Sequence, residues 1–399
     1  MEATNSTSPF DFTIDYSLLN GGIGVSAGTI VQYFVVAQDN AGTPNIASNL
    51  GGFTVTPTSV ALTSAAFPII GTPNSYTINS AYTWNGTTTD YQVSTNWTPT
   101  RTTPATSDVL IFNGAITATP TVTNIPSQTV YSISFINNVS AILTAATAGN
   151  TLTINTNTGD NSLTIASGSS VNVGVTTTLL LAHGANTGQI STIAGTLTLS
   201  NAATFNAFGS VTTVTGTLVN NSSATTPLPS VSTTNLLFTT GTYQHNINGG
   251  TMPAANYATT STINVTGITT TAPTPPSSCG NFTWNCTGQT GTAISLLSTL
   301  TTINGNVNII STGTGSMQFG TGTPPTVTGL FTMSGGNMIA AGGTFTLNGG
   351  IALNGGTISN SAATIINIKG ALSQTASSTI TANTGGITFG FIDNIAQTL

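Results

Sequence analysis

The feature that most limits what this chain can fold into is the length of its apolar units. In TFTLNGGIALNGG, residues 344–356, a run of about half a dozen residues ends at a glycine pair, and the next run ends the same way. Similar units recur from Val130 onward: SISFIN, TLTIN, SLTIAS, SVNVG, TLTLS, TFTLNG, GIALNG and GITFG. Many place Thr between two apolar residues, as in Leu152-Thr153-Ile154, Leu163-Thr164-Ile165, Leu197-Thr198-Leu199, Phe345-Thr346-Leu347 and Ile387-Thr388-Phe389. A period of two sends the apolar side chains to one side of a strand and the hydroxyls to the other.

Such units are too short for helices and too closely spaced for hairpins with ordinary loops. The GTL at Gly195 and the GTL at Gly216 lie 21 residues apart, a spacing that fits three strands to a coil of roughly twenty residues. The sequence therefore predicts an all-β protein built on a right-handed parallel β-helix (a solenoid) of roughly a dozen coils, each rising about 4.8 Å. The glycine pairs at 335–336, 342–343, 349–350 and 355–356 mark bends that need positive φ. Asn348 and Asn354 precede two of these bends, either as stacked carboxamides that satisfy the bent backbone or as solvated turn residues.

Composition agrees with this reading. Only 3% of the residues are charged, against about a quarter in an ordinary globular chain. With 38% of residues hydrophobic, the chain is not of a disordered type. Thr and Val favour strands, and the charged helix formers are scarce. Arg101 and Lys369 are the only Arg and Lys, and the net charge is −6, so the sequence offers no electrostatic footprint for nucleic acid. No segment approaches the roughly 20 apolar residues of a membrane helix, and no membrane insertion is expected. The opening MEATNSTSPFDF carries no export leader, and both ends break off in strand-like runs. The chain is read as a piece of a longer one.

Four segments follow. Residues 1–60 alternate like a partial sandwich of immunoglobulin or fibronectin type, with a strand-like run from Ile30 to Gln38, a turn at Asp39-Asn40-Ala41-Gly42 and a second short strand. Residues 61–81 form a connector. Residues 82–129, with Trp84, Trp97, Asp90, Asp108 and Arg101, suit a cap that closes one end of a repetitive sheet stack. Residues 130–399 form the β-helix, with a candidate interruption in the Pro-rich stretch 269–280.

The stretch GTYQHNINGGTMPAANYATTSTINVTGITTTAPTPPSSCGNFTWNC, from Gly241, resembles a segment of very large secreted surface proteins of Bacteroidetes. The YFVVAQD and NIASN elements, and the W-N-G, N-W-T-P and D-V-L-I elements, are similar to modules of the same proteins. The resemblance implies an extracellular, cell-surface, adhesin-like role and export by the type IX route.

The chemistry-bearing residues are few. Enzymes built on a parallel β-helix need clustered carboxylates and a basic partner. Between Asp160 and Asp393 there is no Asp or Glu, and the basic residues there are His183, His245 and Lys369. The chain is therefore read as no enzyme, with no catalytic, cofactor or metal site. His183 reads as a bend residue and His245 as a structural hydrogen-bond former; two histidines without a third ligand make a poor zinc site. Asp11, Asp15 and Asp39 are either solvated carboxylates or ligands of a Ca²⁺ between domains. Arg101 and Asp108 are expected to pair across a surface loop, contributing little stability.

In CGNFTWNC, Phe282, Trp284 and Cys286 share one parity, so an extended strand buries all three and holds Cys279 and Cys286 about 23 Å apart, too far for a disulfide. Two unpaired thiols are favoured. Asn-x-Ser/Thr matches at Asn96, Asn138 and Asn264 are expected by chance in so Asn- and Thr-rich a chain. The function expected is that of a stiff structural or adhesive segment. The alternatives are a filament subunit joined to copies of itself through strand edges, and a β-helix that binds carbohydrate or ice through Thr arrays or through aromatics near Trp84 and Trp97.

Overall fold

The computed structural model describes residues 4, 9–26, 28–60, 69–296, 299–319, 323–383 and 385–392. Residues 61–68 of the connector, Glu2 and Asp393 lie outside them. The chain divides into two compact units, 1–80 and 81–399.

The first unit holds three two-stranded antiparallel ladders among its described residues. Ile30–Tyr33 pairs with Asn74–Thr77, Val36–Gln38 with Ile46–Ser48, and Gly52–Phe53 with Ile69–Ile70. The Asp39 carboxylate closes the loop of the second ladder: it accepts from the Ala41 and Asn45 backbone N–H groups and from the Asn45 carboxamide.

The second unit is a parallel β-solenoid of about twelve coils. Each coil runs through a first, a second and a third face. The opening coil uses Asp108–Asn113, Thr121–Ile125 and Gln128–Val130, and the next uses Ser132–Ile136, Ser140–Ala145 and Asn150–Ile154. The second face is one continuous twelve-stranded sheet, from Thr121–Ile125 to Leu372–Gln374. The two GTL units stack in register there, Thr196 on Thr217 and Leu197 on Leu218. Coil length varies from 19 residues, between Ile263 and its partner Phe282, to 30, between Ile142 and Asn172. The excess is carried in the bends.

Period-two alternation fills the interior. In TFTL, Phe345 and Leu347 are buried while Thr344 and Thr346 face outward. Fully burying such a side chain contributes about 1.5–3 kcal/mol. One apolar cluster runs from Trp84 to Leu372. Aromatic rings stack from coil to coil within it: Phe112 on Phe135 at 4.9 Å and 7°, and Phe238 on Tyr257 at 4.9 Å and 9°.

The bends divide into two kinds. Gly336, Gly342, Gly343, Gly350 and Gly356 have φ between 74° and 97°, as the glycine pairs predict. Their companions Gly335, Gly349 and Gly355 do not have positive φ. At Gly349 the need is space, because a Cβ there would lie 2.3 Å from the carbonyl carbon of Gly329 one coil below.

The first and third faces each consist of two sheets. On the third face, four strands end at Thr204–Asn206 and five begin at Ile294–Ser295. The three coils between them have loops there instead: 223–235, 246–255 and 266–277. These loops contain Pro227, Pro253, Pro273 and Pro275, all buried. Proline has no N–H to give a ladder, so the sheet stops where prolines wall the interior. The Phe205 N–H donates to the Pro227 carbonyl, and the Met252 N–H to the Thr274 carbonyl. The stretch 269–280 thus supplies the third side of one coil and a two-residue first-face strand, Ser278–Cys279, while the second face passes it with Ile263 against Phe282.

Candidate functional site

His183 ends the strand Leu179–His183 and points inward beside Leu179 and Leu181, 5% exposed. This corrects the reading of it as a bend residue: Gly184 makes the bend, and the ring lies one step inside. Its Nδ1 is 3.1 Å from the Asn206 carbonyl oxygen, an acceptor only, so Nδ1 carries the proton. Nε2 then accepts from the Ser191 hydroxyl at 2.7 Å, with Ser162 Oγ at 3.0 Å. Ser210, Thr212 and the edge of Phe205 complete a small neutral polar layer inside the solenoid. Burial pushes the imidazole pKa down to about 4. A Ser-His contact alone is a fragment of a nucleophilic site, and this one is sealed from substrate.

His245 is buried three coils further on. Its Nε2 donates to the Gly249 carbonyl at 2.7 Å, and Nδ1 accepts from the Tyr243 hydroxyl at 3.1 Å. The Asn220 carboxamide donates to that same hydroxyl. Burial lowers the His245 pKa and raises that of Tyr243. Both ring nitrogens are occupied by structural bonds.

The cap is built on a short hairpin, Ser80–Trp84 with Trp97–Thr98, which extends the first-face sheet beyond Asp108–Asn113. Trp84 and Trp97 are 1% and 2% exposed and meet edge to face at 5.0 Å, with Tyr91 and Phe112 against Trp97. Their ring faces are covered by protein, so they form no platform for a sugar. The Arg101–Asp108 pair is present but is not a surface pair, which is a correction: the two side chains are 2% and 1% exposed. Arg101 Nε donates to Asp108 Oδ2 at 2.7 Å, with Nη2 also 2.7 Å away. The guanidinium lies over the rings of Tyr91, Trp97 and Tyr82 at 5.3, 5.5 and 5.9 Å. The surface reading fails because the rings of Tyr82, Tyr91 and Trp97 pack around the guanidinium.

Asn96 is also inside the cap. Its Oδ1 accepts from Thr87 Oγ1 and the Thr88 N–H, and its Nδ2 donates to Thr88 Oγ1 and the Asp90 carbonyl. Asp15 caps a 3-10 turn by accepting from the Ser17 N–H and hydroxyl, and these bonds lower its pKa. Asp11 is exposed. Among the described residues, no three His, Cys, Asp or Glu side chains gather as metal ligands. Cys279 and Cys286 are free and fully buried, and burial pushes both thiols up to about 12. Phe282, Trp284 and Cys286 are each 0% exposed, as their shared parity predicts.

Several bend carboxamides accept from backbone N–H groups of the coil that follows. Asn281 Oδ1 accepts from the Asn306 N–H, and Asn306 Oδ1 from the Leu330 N–H one coil on. Asn248 Oδ1 accepts from three successive N–H groups, Thr269 to Thr271. Asn354, by contrast, is exposed.

The outward side of the second face is the largest regular feature of the surface. One column runs Ser140, Ser170, Thr196, Thr217, Thr242 and Thr262, each on the next strand. The neighbouring column runs from Thr121 through Asn172, Thr198, Gln244 and Thr283 to Ser373, and no residue in it is ionisable. Sequence reasoning found the hydroxyl faces but not this single sheet, because the bends differ in length and hide the register.

Together these features define a capped parallel β-solenoid whose histidines and cap ion pair serve the interior. Comparison of the chain with protein families, with curated proteins and with solved structures gave no match.

Proposed function

We propose that this chain is a structural or adhesive segment of a long exported cell-surface protein, a rigid rod without catalytic activity. One observation carries the reading: a single twelve-stranded ladder whose outward column from Thr121 to Ser373 contains no charge. A stack in which every coil pairs with the next resists bending and offers a protease little unpaired backbone. The use of His183 and His245 as internal hydrogen-bond formers supports the absence of catalysis. The extracellular setting and the type IX route come from the resemblance of the YQH and NFTWNC stretches, and a right-handed winding from the pattern of short strands and bends; all three belong to the same proposal. So does an immunoglobulin-like origin for the first unit, which its antiparallel ladders support.

Electron microscopy of the purified protein tests it. Isolated short rods are expected; globular particles would overturn the reading, and long filaments would favour assembly through strand edges. The column Ser140 to Thr262 favours a second reading, binding of neutral carbohydrate or ice. Sedimentation with insoluble polysaccharides and a thermal hysteresis assay test that reading, and no binding and no hysteresis would remove it.

A further inference from the structure

We propose that the corner where the third face turns into the first, between Asp160 and Phe208, binds a neutral pyranose chain, with the Phe208 ring as the surface that a sugar covers. This site lies on a different side of the coil from the Ser140 to Thr262 column and does not depend on it.

Phe208 has no part in the interior. Its neighbour Ala207 is buried, whereas Phe208 is 51% exposed, the most exposed aromatic side chain among the described residues of the second unit. Burying a ring of this kind contributes about 1.5–3 kcal/mol, which the fold forgoes here. Three residues on, Val211 pairs with Ile190 of the adjoining strand, and both are 38% exposed on the outward side of the first face. Ring and column form one small apolar platform.

Polar groups occupy the same corner two coils below. Asp160 is the only exposed carboxylate among the described residues of the second unit. Its Oδ2 accepts from the Tyr131 hydroxyl, which in turn accepts from the Asn157 carboxamide at 3.1 Å. A carboxylate offers about four acceptor sites, so Asp160 has acceptor capacity left for donors from outside. Backbone bonds keep the corner in line: the Gly159 N–H donates to the Gly188 carbonyl, the Ile190 N–H to Asp160 and the Gln189 N–H to Gly209. The exposed Thr187 lies between the two ends, its carbonyl held by the Thr158 hydroxyl. At about 4.8 Å per coil, carboxylate and ring stand about 10 Å apart along the stack, room for two sugar rings.

This pairing selects the ligand. A pyranose has a face of C–H groups that covers a phenyl ring and a rim of hydroxyls that donate to a carboxylate. A chain of equatorially linked units runs straight, as the corner does. A wholly apolar ligand would strip water from Asp160 and return no hydrogen bond. An acidic sugar would meet the Asp160 charge with no cation to offset it, because Arg101 is buried in the cap and Lys369 lies near the other end of the stack.

Titration calorimetry with cellohexaose, β-1,4-mannohexaose and laminarihexaose tests the site. The wild type should bind at least one of them with a Kd of about 1 mM or tighter. Phe208→Ala should weaken that binding at least about tenfold, Asp160→Asn about fivefold, and Thr217→Val, on the second face, not at all. Binding of none of the three by the wild type would overturn the proposal. Undiminished binding by Phe208→Ala would overturn this site, and a loss in Thr217→Val instead would assign the sugar to the second-face column. Tighter binding of hexalysine than of any sugar would overturn the ligand class. Should Phe208→Ala not fold, Phe208→Trp reads the same contact with a ring retained. Trp84, Trp97 and Trp284 are at most 2% exposed, so iodide quenching reports the added indole, and saturating sugar should shield it. Quenching that sugar leaves unchanged would overturn the site.

Discussion

Burial disfavours the charged form of His183, and its ring partners, two serine hydroxyls, a third at 3.3 Å and a backbone carbonyl, supply no anion to offset that. Its pKa falls from 6.5 to about 4, so the folded state binds the proton less well than the unfolded chain does. The stabilisation is therefore fully present above about pH 6.5 and is lost as the pH falls through 4, at a cost of about 3 kcal/mol by pH 3. Urea unfolding of wild type and His183→Gln at pH 7 and pH 3 should show that difference in pH sensitivity between the two proteins. The parity of His183 with Leu179 and Leu181 is the sequence signal that places it inside; the glycine after it argues for a bend and misleads. Cys286 was legible because Phe282 and Trp284 extend its parity without a glycine. Both thiols, held near 12, should ignore an aromatic disulfide reagent in native protein and react as two equivalents in denaturant.

At the scale of strands and bends, close approach decides more than dihedral angle. A Cβ on Gly216 would lie 2.0 Å from the Gly195 carbonyl oxygen and 2.5 Å from that of Ala194. Backbone in the coil below has nowhere to retreat, so Gly216→Ala should destabilise by about 1–3 kcal/mol, as overpacking does. Asn354→Ala, at an exposed bend, should change stability by less than about 0.5 kcal/mol. Urea midpoints of the two variants compare them. Strands were legible from period two and bends from glycine pairs. The loss of third-face strands was legible only at the Pro-rich stretch 269–280, the candidate interruption; over the loops 223–235 and 246–255 it was not, because only the stack shows that the buried Pro227 and Pro253 line the same side. The Arg101–Asp108 pair was legible as a pair but not as a buried one, since the rings that cover it, Tyr82, Tyr91 and Trp97, are brought together by the fold of the cap rather than by a local pattern.

Across the second unit, the middle coils are held differently from those on either side. The third face has no strand between Thr204–Asn206 and Ile294–Ser295, and the first face changes sheets between Asn256–Tyr257 and Ser278–Cys279. The second-face ladder is the only sheet among the described residues that crosses this region, helped by the apolar cluster inside it. In a nearest-neighbour stack, the weakest interface sets whether the two halves unfold together. The wild type is expected to unfold in one urea transition, because the ladder at Ile263, Phe282 and Val307 couples the halves. Thr283→Pro removes an N–H from that ladder and places a ring against the adjoining strand, so it should split the transition into two. Thr225→Pro, in the exposed part of the loop 223–235, touches no ladder and should leave one transition with its midpoint nearly unchanged. Two transitions already in the wild type would mean that the prolines separate the halves despite the shared sheet. One transition in Thr283→Pro would mean that the packed interior, not the ladder, joins them.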